Sequence, residues 1–254
     1  MLGARFGSLL LEGGGHGTDT LVFHVDSRDF RELERARPYS FDLDYRPGSV
    51  HLAGPHFMAR LDWAPGLRGA LWSSARGTAF QGVFENYFRV LLAYRLLESG
   101  GSLVHSAAVR DDRGAYLVFG PSGAGKSTFA RRAREAGGAV LSDDLNPLCM
   151  GENTTVVEAV PFYGDLEPDP APPGVPLRAI CRLRKAESDS LRALERSECL
   201  ASLVASTPYV SRDPYRAAQL LQNLEALARP VPAYEVRFSR TGRAFDLLRG
   251  ASEP

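Results

Sequence analysis

The chain has 254 residues in which 30 Lys and Arg balance 30 Asp and Glu, so its formal charge is zero and no positive excess draws it onto nucleic acid or anionic lipid. That length predicts one main domain with a smaller appendage. Cys149, Cys181 and Cys199 lie far apart without CxxC or Cys/His spacing, which argues against a disulfide framework or zinc site and fits a reducing compartment.

At the N-terminus "FGSLLL" is stopped at once by "EGGGHG", too short an apolar core for a secretory signal. Nowhere do about eighteen apolar residues run together, so a cytoplasmic protein with neither membrane nor nucleic-acid partner is expected. "GGGHG" at 13–17 lacks a following lysine and helix and reads as a flexible turn. From Phe23 to about Ser74 short runs recur, "LVFHV", "SVHLAG" and "FMARLDW", separated by Gly, Pro and charged turns. They predict a small antiparallel sheet without a catalytic grouping, and a β-rich N-terminal domain over 1–80. His16, His24, His51 and His56 are scattered and read as structural or surface residues.

The period then changes. "VFENYFRVLLAYRLLESGG" is apolar nearly all round apart from Arg95 and the Glu85 and Arg89 pair one turn apart, which predicts a largely buried helix closed by Gly100 and Gly101. It stands at the seam with a second domain, 81–254. "SLVHSAAV" and "AYLVFG" read as strands joined by the charged turn "RDDRG". Further on come a strand "AVLS" ending in Asp143 and Asp144, a strand "TVVEAVPF", and a Pro-rich run at 167–176 that is a loop, mobile by its composition. "LRAICRL" predicts a strand and "DSLRALERSECLASLVA" a helix. "DPYRAAQLLQNLEALARP" predicts a second helix, capped by Asp213, with Ala217, Leu220, Leu221, Leu224 and Leu227 on one face. "AYEVRFS" and a terminal helix "GRAFDLLR" complete the chain, and no internal repeat appears.

One stretch carries chemistry. Gly120-Pro121-Ser122-Gly123-Ala124-Gly125-Lys126-Ser127 satisfies GxxxxGK[ST], between a predicted strand and the helix "STFARRAREA" that opens on Ser127 and Thr128. Glycines let such a loop turn backbone N–H groups around an anion, and the helix N-terminus adds partial positive charge. Lys126 can reach the β- and γ-phosphates of a nucleotide and the Ser127 hydroxyl can bind Mg²⁺, so ATP and Mg²⁺ are the expected cofactors. Asp144 follows Lys126 by eighteen residues, at the tip of "AVLS". Successive strand residues point to opposite faces, so Asp143 and Asp144 divide the work. One faces the phosphates, the other a loop or the metal's surroundings. His105, 21 residues before Lys126, lies on the strand expected beside the glycine-rich loop.

"LVHSAAV", "GPSGAGKST" and "LSDD" at these separations resemble the catalytic domain of HPr kinase/phosphorylase and the wider HPr-kinase-like proteins, including lasso peptide precursor kinases, over roughly residues 81–150. The resemblance implies an α/β P-loop kinase domain similar to the HPr kinase and phosphoenolpyruvate carboxykinase core. It implies roles for Lys126 at the phosphates, Ser127 at Mg²⁺, Asp144 as the base that activates a substrate serine, and His105 as a further catalytic residue; Asp143, to which alternation leaves the other task, is the second residue expected at Mg²⁺. The bifunctional family's downstream glutamate signature is missing, so transfer is expected in the forward direction only; Glu158, Asp165 and Glu167 are candidates for a further acid by position. The expected partner is a peptide or small-protein phosphoacceptor, with a small molecule or a non-catalytic ATP sensor as alternatives and a homo-oligomer left open. Arg178, Arg182, Arg184 and Arg212 are candidates to guide the acceptor or clamp phosphate.

Overall fold

The computed structural model describes residues 21–25, 41–63, 66–239 and 243–251; the "FGSLLL" and "GGGHG" segments lie outside them. The chain divides into two compact units, Met1–Arg95 with Asp213–Tyr215, and Leu96–Arg212 with Arg216–Pro254. The whole is mixed α/β, with a small β-rich N-terminal sheet and a larger mixed sheet.

In the first unit, β1 (Leu21–Val25), β2 (Asp42–Arg46), β3 (Ser49–Gly54), β4 (Phe57–Asp62) and β5 (Arg68–Ser73) form a sheet in the order β1-β5-β4-β3-β2. Alternation decides its faces: in β4, Phe57, Ala59 and Leu61 are buried while Met58 and Arg60 are exposed. At the β2 edge an exposed Asp44–Arg46 ion pair at 2.7 Å discourages further pairing. The expectation of a purely antiparallel sheet fails at β1, which lies parallel to β5. A parallel neighbour needs a long connection rather than a hairpin, so no local turn signals it. Helix α1 (Gly77–Glu98) carries Phe84, Tyr87, Val90 and Tyr94 into this unit's core and starts earlier than its apolar run suggests. The Glu85–Arg89 pair forms at 2.6 Å. The Tyr94 ring stands edge-on to Trp63 at 5.0 Å, and its hydroxyl donates to Asp213 Oδ2 at 3.0 Å.

The second unit holds β6 (Ser102–Arg110), β7 (Ala115–Phe119), β8 (Ala139–Ser142), β9 (Leu145–Met150), β10 (Thr155–Val157), β11 (Val175–Lys185), β12 (Ser190–Ala193) and β13 (Ala233–Phe238). Their order is β10-β9-β6-β7-β11-β13-β12, with β8 on β6 and a further β10–β11 pairing that closes a ring of five strands. β7, β11 and β13 run parallel, so their carboxyl ends share one edge. Helix α2 (Lys126–Glu135) buries Phe129, Ala130 and Ala133 on one face of this sheet. Phe129 stands edge-on to Phe238 at 6.1 Å and to Phe245 at 6.3 Å, which fixes the helix start to the strand ends.

Several expectations change here. "LNPLCM", unassigned from the residues alone, forms β9: Leu145 and Pro147 sit in register with His105 and Leu103 of β6. "TVVEAVPF" is strand only over β10, beyond which the Glu158 carboxylate accepts the Gly174 N–H at 3.0 Å. The helix expected over 189–205 splits: Ser190–Ala193 pairs antiparallel with β13, and α3 spans only Arg196–Ser206. An open strand edge outweighs local helical preference. Asp213 does not cap the next helix, α4 (Ala217–Ala228); its Oδ1 takes the Tyr215 N–H, and Arg216 holds the N-cap position. On α4, Leu220, Leu224 and Leu227 are buried but Ala217 and Leu221 are exposed. The last helix is α5 (Ala244–Ala251). The Pro-rich loop is pinned rather than free: Asp169 Oδ2 accepts from Val140 N–H at 2.7 Å and Arg134 Nε at 2.9 Å, and Arg110 donates to the Pro170 carbonyl.

Candidate active site

The glycine-rich segment leaves the carboxyl end of β7 and enters α2 at Lys126. The Ala124 N–H donates to the Pro121 carbonyl at 3.0 Å, and Lys126 Nζ donates across the loop to the Gly120 carbonyl at 3.2 Å. Gly125 has φ 101°, and a Cβ there would come within 2.6 Å of the Phe238 ring, so this position needs glycine for two reasons. The first backbone bond of the helix runs from Phe129 N–H to the Gly125 carbonyl, which leaves the amides of Lys126, Ser127 and Thr128 without intrahelical acceptors. No side chain caps this end and its first turn contains no acid, so its partial positive charge is undiminished.

A cavity of about 680 Å³ opens against this turn, and Ser122, Gly123, Gly125, Lys126, Ser127 and Thr128 line it. Asp143, Asp144 and His105 reach the same cavity, so most of the residues chosen from sequence come together. Ala124 is buried beneath the loop, while Gly120 and Pro121 face a neighbouring cavity.

The two aspartates do separate tasks. Asp143 is 4% exposed, and its oxygens accept the N–H groups of Gly164 at 2.7 Å and Asp165 at 3.1 Å. A Cβ on Gly164 would stand 3.2 Å from Asp143 Oδ1, so the backbone approaches this closely because residue 164 lacks one. Asp143 thereby draws the 164–165 turn to the cavity and brings Asp165 with it, whereas Glu158 and Glu167 do not line it. Asp144 is half-buried and acts on Lys126: burial lowers the lysine's pKa, and the Asp144 charge pushes it back up. Its backbone is fixed by Ser106 N–H to Asp144 carbonyl at 3.0 Å and Asp144 N–H to Ser142 Oγ at 3.2 Å. Among the described residues no group of three or more His, Cys, Asp or Glu forms a ready-made metal site.

Residue patterns alone did not single out Lys185 or Phe238, which stand at the carboxyl ends of β11 and β13 and line the cavity. The signal was available only through topology, because ligands of open α/β sheets gather at the carboxyl edge of parallel strands. The smaller cavity, about 400 Å³, shares His105, Ser122 and Lys126 with the first and adds Phe119, Arg182, Ser202 and Ser206. Arg178 lines a separate cavity, and Arg212 is exposed at the end of a 3₁₀ turn.

Residues 85–249 match the family described as SynChlorMet cassette protein ScmC. The chain belongs to that family. The ScmC match takes in the glycine-rich loop, both aspartates, Lys185 and Phe238, and leaves β1–β5 outside it. A comparison with curated proteins finds no match. Among the described residues no helix is long and apolar enough to cross a membrane.

Proposed function

We propose that this chain is an ATP- and Mg²⁺-dependent kinase, with a P-loop core of the HPr kinase type, that phosphorylates a hydroxyl, a serine of a peptide or small protein. One observation carries the reading. An uncapped helix N-terminus, Lys126 and Asp144 meet at a single cavity, which pairs an anion cradle with a carboxylate beside it. The amides of the loop and Lys126 hold the phosphates, and Lys185 adds a second cation at their side. Ser127 and, through the lone pairs left on its carboxylate, Asp143 are the oxygens that would hold Mg²⁺. Bound there, the ion neutralises charge on the transferred phosphoryl group. Asp144 accepts the acceptor's hydroxyl proton as the new O–P bond forms. The bond from the γ-phosphorus to the bridging oxygen breaks, and its electron pair leaves with ADP.

Because the family is described as a cassette protein, the acceptor is best sought among the proteins encoded beside it. Those peptides, incubated with the chain and Mg·ATP, are expected to gain the mass of one phosphate on a serine, and the Asp144→Asn enzyme to be slower by about 10²- to 10⁴-fold. Transfer by Asp144→Asn at the wild-type rate removes the base. Failure of the wild-type chain to bind ATP saturably at millimolar concentration removes the whole reading.

A further inference from the structure

On β11 the side chains alternate between the two sheet faces. Ala179, Cys181 and Leu183 enter the core beneath α2, so Arg182 and Arg184 point to the other face, where α3 lies. Register places Arg182 and Arg192 on either side of Glu235, and Arg184 beside Arg237. Glu235 is 1% exposed, yet its carboxylate is met by Arg182 at 2.7 Å, Arg184 at 3.0 Å, Arg192 at 3.3 Å and Arg237 at 3.4 Å. Glu198 of α3 is the second acid, 3.0 Å from Arg182 and 3.6 Å from Arg192.

Four guanidinium groups therefore share two carboxylates. Two would satisfy the lone pairs of a buried glutamate, since each guanidinium carries five N–H donors and one carboxylate about four acceptor sites. The outer three, Arg184, Arg192 and Arg237, have side chains 58%, 50% and 56% exposed, so most of their donors face solvent while Glu235 anchors them. As an ion-pair network this arrangement adds little stability at the surface. As a fixed array of planar forks it is suited to bind carboxylates two hydrogen bonds at a time. Arg182 is next to Phe119 in the β7–β11 ladder and lines the smaller cavity beside Lys126, so the array begins at the candidate active site and runs outward from it.

We propose that this arginine face of β11, β13 and β12 docks an acidic segment flanking the acceptor residue, so that the substrate is a peptide with clustered Asp or Glu near its hydroxyl. The inference rests on the kinase reading and names the substrate class it leaves open. A nucleic acid is disfavoured as occupant, because the net charge of the chain is zero and supplies no long-range positive field.

The test measures fluorescence anisotropy of a labelled serine peptide carrying four glutamates, the same peptide with glutamines, and a short single-stranded DNA of equal charge, each with the full-length chain. The glutamate peptide is expected to bind at least about tenfold more tightly than the glutamine peptide, with affinity falling as salt rises. Arg184→Gln with Arg237→Gln is expected to remove that preference while the Mg·ATP titration stays at the wild-type value. Arg192→Gln alone, a milder change, is expected to reduce it in part. Equal binding of both peptides, an unchanged preference in the double variant, or tighter binding of the DNA overturns the proposal. Acidic-peptide binding is read without phosphate transfer, so loss of the kinase reading and loss of the docking surface give different results.

Discussion

Lys126→Met separates a residue kept for phosphate from one kept for the fold. Lys126 is 8% exposed, and the folded state lowers its pKa first by burial, with Asp144 pulling it back up. A lowered pKa means that folding opposes the charge: the penalty is present at neutral pH and disappears as pH rises past the lysine's unfolded value near 10.5. Methionine matches the length of the stem, so no cavity is made. The substitution loses one hydrogen bond, to the Gly120 carbonyl at 3.2 Å, worth about 1 kcal/mol, and returns the desolvation of an ammonium group. Melting of the nucleotide-free protein near neutral pH should therefore change by no more than a few degrees, and upward where desolvation dominates. Binding should behave otherwise, since a charge-assisted contact of about 1.5–3 kcal/mol corresponds to a loss of roughly 10- to 150-fold in ATP affinity. Scanning fluorimetry and calorimetric titration with Mg·ATP measure the two effects on the same sample. A variant that melts ten degrees lower, or that binds ATP as the wild type does, refutes the reasoning.

Asp143→Ala should release the 164–165 turn, at a cost of about 1–3 kcal/mol for the two amides it leaves unbonded, and hydrogen exchange at Gly164 and Asp165 should quicken; Asp143→Asn, which keeps one acceptor, should restore part of the protection. Unchanged exchange in Asp143→Ala would show that the turn is held by something else. Burial alone would raise the Glu235 pKa, but hydrogen bonds from Arg182 and Arg192 outweigh it and hold the carboxyl at about 2, against 4.5 ordinarily. Stability gained from that depression is present above pH 4.5 and lost as pH falls toward 2; with three of the four arginines half or more exposed, solvent screening holds it to about 1 kcal/mol. Thermal melts of Glu235→Gln should accordingly be flatter across that interval than those of the wild type, and parallel profiles would contradict the assignment.

The proposed anion cradle was legible because its parts are contiguous. Gly120 to Thr128 build loop, helix start and cation within nine positions, although the close approach of Phe238 that also demands Gly125 comes from far along the chain. The acid pair was legible for a related reason, since a carboxylate pair after an apolar strand advertises a strand tip and period-2 alternation separates their duties. In the structure Asp143 goes to the backbone of a turn, and Asp144 shares the cavity with Lys126, whose pKa its charge raises against the lowering by burial. The elements missed or misread, β9 in the first case, β12 and the parallel β1 in the second, are those whose state is decided by a partner strand far away in sequence. Pro147 within β9 is tolerated for such a reason, which no local propensity expresses.

The same dependence on register explains why "RLRK" at 182–185 could not be resolved from its residues. Read as sequence it is a cluster of basic residues with one leucine. Placed on β11 it splits by parity: Leu183 enters the core on the α2 face, Lys185 follows it to the larger cavity, and Arg182 and Arg184 turn to Glu235 on the opposite face. A shift of one residue in the pairing of β11 with β13 would exchange these assignments, burying arginines beneath α2 and moving a core leucine to the opposite face. Leu183 therefore does more than fill space. Its burial against Val236 and Phe238 holds the register that sends one lysine to the proposed nucleotide side of the site and two arginines to the proposed peptide side.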